Sequence, residues 1–305
     1  MPSIKVGTEN GSDIELHYND HGTGKPIVLI HGYPLDGNSW ERQERALRAH
    51  GYRCITYDRR GFGHSSQPST GYDYDTFAED LKALLDHLAL DQEVVLVGFS
   101  MGTGEVTRYL GTYGSAGVKK AVLIGSIPPY IAQADDNPQG VPRDVFDGLK
   151  QAAAGDRYAY LDSFVANLYN ADVNTPERVS EAALRASSQV AYGSGPYASY
   201  ACIDSWLTDF RRDLPKLDIP VLAIHGTDDR VLPPTVTVDR LRDERLIADL
   251  TVVEINGGPH NVCWTHPDEV NSALRLCPLL GCRGKRATRS SPHRGESSRR
   301  CADRR

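Results

Sequence analysis

Gly98-Phe99-Ser100-Met101-Gly102 is the stretch of this chain that most clearly indicates its fold. It follows the continuous apolar run 94–97 and precedes a segment of helical character at 103–113. A serine between two glycines at a sharp turn from strand to helix exposes its hydroxyl at the edge of a sheet. The helix that follows aims its free N–H groups at an oxyanion forming there. The pattern therefore predicts that Ser100 is a nucleophile.

Ser100 needs a base and an orienting acid, because a serine hydroxyl is a poor nucleophile at neutral pH. The apolar run 220–224 predicts a buried strand, which leads into His225-Gly226-Thr227-Asp228-Asp229. The run 250–255 predicts the next strand, which leads into Gly257-Gly258-Pro259-His260. We predict His260 as the general base and Asp229 as the acid that fixes its imidazole. Asp228 is the alternative for the second role.

An oxyanion hole requires two converging N–H donors. The amide after the nucleophile, that of Met101, is one candidate. The other comes from the loop after the apolar run 26–30, which reads His31-Gly32-Tyr33-Pro34. Since Pro34 has no N–H, we predict Tyr33 and Met101 as the donors and a structural role for His31.

Apolar strand patterns alternate with helical patterns along most of the chain. The clearest helix has apolar residues at 77, 81, 84, 85 and 88, and we expect a capping box formed by Thr76 and Glu79. Nearly unbroken apolar strands that alternate with helices predict a parallel sheet covered on both faces. The first strands lack a helix between them, so they are expected to form an antiparallel hairpin.

The alternation stops after residue 124, which predicts an inserted domain. We expect core segments at 1–127 and 214–276, and a helical cap at 128–213 between them. A cap of this kind covers an active site and shapes its pocket. The predicted pocket lining is Pro34, Trp206 and Trp264, with further aromatic candidates in the cap: Tyr130, Phe146, Phe164.

Residues 277–305 are predicted to form a separate basic tail. Positions 281–305 hold nine Lys or Arg and two acidic residues, although the whole chain has a formal net charge of −6. The tail is rich in Arg, Ser and Gly, so we expect disorder. We interpret it as an out-of-frame or vector-derived extension; a basic arm for anionic surfaces is the alternative.

Composition and motifs argue against several classes of function. No apolar run reaches the roughly 18 residues of a membrane span, and no signal peptide is visible, so we expect a cytoplasmic protein without membrane or nucleic-acid partners. The dinucleotide fingerprint that would follow Gly102 lacks its third glycine, since position 107 is Thr107. The series His260, Cys263, His266 has metal-ligand spacing, but His260 is needed by the serine. We predict neither a cofactor nor a metal.

Several motifs together carry a resemblance to a known family. They are His31-Gly32-Tyr33-Pro34-Leu35-Asp36-Gly37, Tyr57-Asp58-Arg59-Arg60-Gly61-Phe62-Gly63, Gly98-Phe99-Ser100-Met101-Gly102-Thr103-Gly104, and Pro259-His260 followed by Trp264-Thr265-His266. The chain resembles the cofactor-free bacterial haloperoxidases, or non-haem chloroperoxidases, of the α/β-hydrolase superfamily, and within them most closely the γ-lactamase type. The resemblance spans residues 1 to about 276.

The resemblance implies an α/β-hydrolase fold with a mostly parallel eight-stranded sheet. It also implies a serine esterase that acts on small esters or lactams through an acyl-enzyme, without a cofactor. Many members are perhydrolases: hydrogen peroxide replaces water and yields a peracid, which oxidises halide in solution. Pro34 matches the loop proline of members that perform this reaction.

Several alternatives share the same residues. A plain carboxylesterase or γ-lactamase without physiological perhydrolysis, and a C–C bond hydrolase, use the same triad. A non-catalytic ligand receptor on this fold is a remoter alternative. Haloalkane dehalogenases and epoxide hydrolases use an aspartate nucleophile, so Ser100 argues against them. The expected partners are a small ester, lactam or carboxylic acid with hydrogen peroxide, and a homo-oligomer is a further candidate.

Overall fold

The computed structural model describes residues 2–276. The centre of this part of the chain is an eight-stranded sheet. The tail predicted at 277–305 lies outside these residues. The strands are β1 (Ser3–Glu9), β2 (Ser12–His21), β3 (Pro26–Ile30), β4 (Arg53–Tyr57), β5 (Val94–Phe99), β6 (Val118–Ile124), β7 (Val221–Gly226) and β8 (Leu250–Ile255).

The sheet order is β1-β2-β4-β3-β5-β6-β7-β8. Strand β1 pairs antiparallel with β2, and β2 pairs antiparallel with β4. All remaining pairs are parallel. The predicted fold class and the antiparallel hairpin are therefore confirmed. Every residue of β5 and β7 is buried, as expected for strands covered on both faces. Since β5, β7 and β8 are parallel, the loops that follow them meet at one edge of the sheet.

Eleven α-helices accompany the sheet in the described residues. They are α1 (Glu41–Ala49), α2 (Tyr74–His87), α3 (Met101–Tyr113), α4 (Arg143–Gly155), α5 (Arg157–Tyr169), α6 (Ala171–Asn174), α7 (Glu181–Tyr192), α8 (Pro196–Ser205), α9 (Val238–Asp243), α10 (Val262–Thr265) and α11 (Pro267–Leu276). None of these helices is both long enough and apolar enough to span a bilayer.

The N-terminus of α2 differs from the prediction. The prediction of a capping box formed by Thr76 and Glu79 is wrong, because the helix begins at Tyr74 and its N-cap is Asp73. The Asp73 carboxylate accepts a hydrogen bond from the Thr76 amide at 2.9 Å. Aspartate caps helices as well as threonine does, and its charge also favours the positive end of the helix dipole. The earlier start brings the buried Tyr74 into the first turn.

Helices α4–α8 all lie between β6 and β7 in the chain. Within this insert α4 packs on α5 and α8, and α5 packs on α7. Apolar side chains such as Phe146 and Leu161 are buried there. The insert is thus a group of helices that leaves the sheet at the carboxyl end of β6, the edge where Ser100 lies, and returns to it at the amino end of β7.

Candidate active site

Ser100 occupies the single residue between β5 and α3. Its backbone has φ +52° and ψ −118°, a conformation that costs a residue with a side chain on the order of 1–3 kcal/mol. Hydrogen bonds hold it there: the Ser100 amide donates to the Ile124 carbonyl at 2.8 Å, and its carbonyl accepts the Thr103 amide at 2.8 Å. The strained turn sets the side chain at the carboxyl edge of the sheet.

The flanking glycines permit a close approach of strand, helix and loop. A Cβ at Gly98 would overlap the backbone of Gly102, and a Cβ at Gly102 would overlap the carbonyl oxygen of Ile30. On the other side of the serine, a Cβ at Gly32 would lie 2.8 Å from the Ser100 Cβ. The loop predicted to hold an oxyanion donor therefore lies directly against Ser100.

The two predicted donors come from segments that flank Ser100. Met101 is the first residue of α3, and Tyr33 follows Gly32 in the loop after β3. The peptide bond between Tyr33 and Pro34 is cis. The Tyr33 hydroxyl donates to the Ser199 carbonyl of α8 at 2.9 Å and lies 3.2 Å from the Tyr160 hydroxyl of α5. The residue is thus fixed both to the core and to the insert.

His31 supports this loop from beneath. Its Nε2 accepts the Arg59 amide at 2.9 Å, and Arg59 Nη2 donates to the His31 carbonyl at 3.0 Å. Burial, together with the charge of Arg59, lowers the pKa of His31 to about 3. Arg59 is itself paired with the buried Glu105 at 2.7 Å. A neutral imidazole that accepts a backbone hydrogen bond fits the structural role predicted for His31.

The loops after β7 and β8 bring Asp229 and His260 together. His260 Nδ1 lies 2.6 Å from Asp229 Oδ2, and both side chains are fully buried. The other carboxylate oxygen accepts the amides of Val231 at 2.9 Å and Leu232 at 2.7 Å. Asp228, the alternative, has an exposed side chain, so the geometry favours Asp229.

Asp229 also contacts a second histidine that the sequence analysis did not identify. His225 Nε2, at the carboxyl end of β7, lies 3.2 Å from Asp229 Oδ2. Burial by itself raises the pKa of Asp229, but the charges and hydrogen bonds of His260 and His225 more than offset it and hold that pKa below its usual range. The carboxylate is therefore ionised. The signal for His225 was its place at the end of a buried strand, four residues before Asp229.

The remaining ring nitrogen of His260, Nε2, is buried and unpartnered in the described residues. With Nδ1–H donated to Asp229, Nε2 carries the lone pair. The His260 ring lies 5.1 Å, centroid to centroid, from the ring of Phe99, the residue before Ser100. The arrangement offers a buried base whose neighbour, Phe99, directly precedes the strained serine.

A small cavity of about 90 Å³ opens beside Ser100. Apart from Ser100 and Tyr33, its walls are apolar residues from the start of the segment after β6, from the insert and from the loop after Asp229: Ile127, Ile131, Val141, Val145, Phe146, Leu149, Phe164, Trp206, Val231 and Leu232. The wall therefore carries no charged side chain, and the cavity favours a neutral, apolar group.

The cavity includes some of the aromatic residues predicted to line it. Trp206 lines it, together with Phe146 and Phe164, whereas Pro34, Tyr130 and Trp264 are not among its lining residues. Trp264 lines a different cavity, next to α1, where the Arg42 guanidinium lies 4.1 Å from its ring centroid. The prediction for Trp264 therefore differs from the structure, because α10 directs this side chain to α1. Two other apolar residues of α4, Val145 and Leu149, were missed, although they have helical spacing.

A larger cavity, of about 640 Å³, lies away from these residues. Its wall includes Lys25 and Glu93, which directly precede β3 and β5, and Lys119, the second residue of β6. This is the amino edge of the parallel strands, whereas Ser100, Asp229 and His260 lie beyond the carboxyl edge. Size alone would therefore point to the wrong end of the sheet.

Known proteins resemble this chain over nearly all of the described residues. A family described as "alpha/beta hydrolase fold" matches residues 25–267. A Synechocystis sp. protein that carries a non-heme chloroperoxidase name is 54% identical over 274 residues, which cover 90% of this chain and 98% of that protein. A bifunctional esterase/perhydrolase of Acinetobacter calcoaceticus is 32% identical over 272 residues, which cover 88% of this chain and 97% of that protein.

Among solved structures, a bromoperoxidase from Bacillus anthracis superposes with a TM-score of 0.85 at 45% identity. The superposition covers 90% of this chain and 98% of that one. On its sheet, its serine turn and these similarities, the chain belongs to the α/β-hydrolase superfamily and, within it, to the non-haem haloperoxidase family.

Proposed function

We propose that this chain is a serine hydrolase that acts on small esters through an acyl-enzyme and also performs perhydrolysis. One observation carries the proposal: the buried His260 is bound through Nδ1 to Asp229 at 2.6 Å, its Nε2 has no partner in the described residues, and its ring lies 5.1 Å from that of Phe99, the residue before the strained Ser100. We assign Ser100 as nucleophile, His260 as base and then acid, and Asp229 as the group that fixes the imidazole.

The first half-reaction acylates the serine. Ser100 Oγ attacks the acyl carbonyl carbon while His260 Nε2 takes the hydroxyl proton. The carbonyl oxygen becomes an oxyanion, which accepts hydrogen bonds from the amides of Tyr33 and Met101. His260 then gives its proton to the leaving alkoxide, the ester bond breaks, and the acyl group stays on Ser100. The ionised Asp229 stabilises the transient imidazolium.

The second half-reaction releases the acyl group to an oxygen nucleophile. His260 removes a proton from water or from hydrogen peroxide, and the oxygen attacks the acyl carbonyl. Collapse of the tetrahedral intermediate returns the proton to Ser100. Water yields a carboxylic acid, and hydrogen peroxide yields a peracid. In solution the peracid transfers one oxygen to a halide ion, which is oxidised to hypohalite while the peracid is reduced to the acid.

The names of the relatives support perhydrolysis in this chain. The Acinetobacter calcoaceticus protein is named for both esterase and perhydrolase activities, and the Bacillus anthracis structure is that of a protein named a bromoperoxidase. A single acyl-enzyme accounts for both kinds of activity, since they differ only in the attacking nucleophile. We therefore propose ester substrates together with hydrogen peroxide, with bicyclic lactams as an alternative substrate class.

We further propose that the insert at 128–213 acts as a cap over the site, with core segments at 1–127 and 214–276. Support comes from the cavity, whose wall combines Ser100 with insert residues such as Phe146 and Trp206. Because that wall is apolar, binding a charged acyl group there would require its desolvation without a partner. Neutral acyl groups are the substrates that this pocket favours.

Pro34 is proposed to favour peroxide over water. A proline at this place constrains the loop that carries the Tyr33 carbonyl, and that carbonyl could accept a hydrogen bond from peroxide. Replacing Pro34 with alanine should lower the ratio of perhydrolysis to hydrolysis while ester hydrolysis continues. An unchanged ratio would refute this role.

The decisive experiment measures both activities on the same protein. Hydrolysis of p-nitrophenyl acetate is followed in parallel with bromination of monochlorodimedone that depends on acetate and peroxide, with a metal chelator present. Ser100→Ala should lower turnover by on the order of a millionfold, as triad serine variants do in other hydrolases. Ser205→Ala is a matched control, because this buried hydroxyl donates to the Cys202 carbonyl of its own helix and Ser205 does not line the cavity beside Ser100.

Each outcome separates two functions. Loss of both activities in Ser100→Ala, with Ser205→Ala unaffected, would support a serine perhydrolase that halogenates through free peracid. Ester hydrolysis without bromination would leave a plain carboxylesterase or γ-lactamase. Activity of Ser100→Ala within about tenfold of the wild type would refute the nucleophile assignment, because removing a triad serine costs far more than that.

A further inference from the structure

Asp36 and Asp58 are two buried acids near this edge of the sheet that lack a lysine or arginine partner in the described residues. Both are buried, at 5% and 1% exposure. Asp80, by comparison, is paired with Arg60 at 2.7 Å. Within the described part of the chain, no lysine or arginine forms an ion pair with Asp36 or Asp58, and the ionic partner of Asp58 is a histidine. Buried charges are normally paired or bound to a metal, so this pair has a deficit of positive charge.

The charge of Asp58 acts on the Asp36 carboxylate. Burial raises the pKa of Asp36, and the nearby charge of Asp58 raises it further. Backbone amides partly compensate: Asp58 accepts from the Gly37 and His64 amides, each at 2.8 Å, and Asp36 accepts from the Asn38 amide at 2.9 Å. These bonds also fix the orientation of the Asp58 carboxylate.

Two histidines converge on Asp58 from separate segments. One potential ligand atom from each of His17, Asp58 and His64 lies within 4.8 Å of the other two. His17 is in β2, Asp58 directly follows β4, and His64 belongs to the loop after it. His64 Nδ1 lies 3.3 Å from Asp58 Oδ2, and the imidazole rings of His17 and His64 are 5.1 Å apart at 66°.

His17 is already oriented as metal-binding histidines are. Its Nδ1 lies 3.1 Å from the Pro2 carbonyl and donates to it, which leaves a lone pair on Nε2. Histidine ligands commonly donate their second ring N–H to a backbone carbonyl, which fixes the ring and its tautomer. His17 is 6% exposed, so its ring position is set by packing.

We propose that His17, Asp58 and His64 form a binding site for a divalent transition-metal ion of the Zn²⁺ type, separate from the Ser100 site. Two imidazoles and one carboxylate are a donor set that Zn²⁺ accepts, with water in the fourth position. Bonds of about 2.0–2.2 Å place tetrahedral ligand atoms about 3.4 Å apart. The His64 side chain, 53% exposed, is free to close the remaining distance.

The test measures binding on the full, untagged chain after metal removal. Iodoacetamide first blocks accessible thiols, since Cys277, Cys282 and Cys301 lie outside the described residues, whereas the described free cysteines are buried. Zn²⁺ is then titrated by calorimetry, and Co²⁺ by its visible absorption. His64→Ala removes a half-exposed ligand, and His21→Ala is the matched control, because its side chain is similarly exposed at 46% but lies beside Glu44.

The wild type and His21→Ala should each bind one Zn²⁺, with a higher thermal midpoint when the metal is present. His64→Ala should bind more than about tenfold more weakly, a loss at least as large as removal of an outer-shell partner causes. Absence of Zn²⁺ binding by the wild type, or equal affinity in wild type and His64→Ala, would overturn the proposal. Neither result depends on catalytic activity, so the test is independent of the proposed function.

Discussion

The His260 imidazole and the Asp229 carboxylate form a fully buried contact, with 2.6 Å between Nδ1 and Oδ2. The adjacent acid, Asp228, is exposed, and its carboxylate accepts a hydrogen bond from the Thr227 hydroxyl at 3.2 Å. A donor bond at Nδ1 fixes the tautomer in which Nε2 can accept a proton. Two neighbouring carboxylates are thus distinguished by one being inside the protein and the other outside.

Substitution of these two acids should have very different effects. Asp229→Asn should lower kcat on p-nitrophenyl acetate by about 10⁴. The asparagine amide favours the wrong imidazole tautomer, and it does not stabilise the imidazolium that forms during the reaction. Asp228→Asn, a matched surface change, should stay within about twofold, as surface substitutions do. Steady-state kinetics on both variants checks this, and equal losses would contradict the assignment.

The buried His31 should make folding stability depend on pH. Its folded-state pKa is lowered from 6.5 to about 3. Between these two pH values the unfolded chain binds a proton at His31 that the folded protein does not bind. The stability contributed by His31 is complete above pH 6.5 and is lost as the pH falls towards about 3. Urea unfolding from pH 4 to 8 should show that the free energy of unfolding of His31→Gln depends less on pH than that of the wild type. In the exposed-histidine control His21→Gln, the pH dependence should match that of the wild type.

Gly102 is expected to tolerate no side chain. A Cβ there would overlap the Ile30 carbonyl oxygen, and relief of such overlap by backbone shifts typically costs about 1–3 kcal/mol. A Cβ at Gly148 in α4 would instead lie in open space, so Gly148→Ala should stabilise the helix by roughly 0.5–1 kcal/mol. Chemical denaturation should show opposite signs for the two variants, and a stable Gly102→Ala would refute the packing argument.

Trp206 and Trp264 should differ in their effect on substrate choice. Trp206 lines the cavity beside Ser100, whereas Trp264 lies under Arg42 in another cavity. Trp206→Ala enlarges the acyl pocket and should shift kcat/KM from acetate towards hexanoate esters by about tenfold or more, the scale of hydrophobic-pocket discrimination. In Trp264→Ala the ratio of the two esters should be unchanged. A shift of similar size in both variants would contradict the cavity assignment.

A chain that ends at Leu276 should retain hydrolysis of p-nitrophenyl acetate. Helix α11 ends there, and all residues that we assign to the Ser100 site precede it. The shortened protein should match the full chain in kcat and in thermal midpoint. Loss of activity or solubility on truncation would instead favour a role for the basic tail.

Local sequence patterns were sufficient for the strands that lead into the site and for the residues that follow them, whereas β1 was not identified from its pattern. Ser100 and Asp229 follow the fully buried strands β5 and β7, and His260 follows β8, of which only Ile255 is buried. Parallel strands bring the ends of such segments to one edge. The start of α2 was misjudged, since Asp73 and Thr76 are both good caps and the choice depends on packing of Tyr74. Local pattern therefore predicts an element more reliably than its first residue.

The cavity wall was harder to predict because it depends on how helices pack. Trp206 and Trp264 are equally apolar in the sequence, but α10 packs next to α1 and carries Trp264 away from Ser100. His225 was missed for a similar reason. Its place at the end of a buried strand was a signal, but the contact of its ring with the carboxylate four residues later depends on how the loop after β7 packs.

The contacts of Tyr33 affect how the substrate preference of this protein can evolve. Its amide is our candidate donor to the oxyanion, while its hydroxyl bonds to Ser199 and its ring lies 5.0 Å from that of Trp206. Any substitution that reshapes the insert to accept a new substrate also moves an anchor of the catalytic loop. Selection for specificity and selection for rate therefore act on the same side chain, and variants with altered preference should often need a second, compensating change.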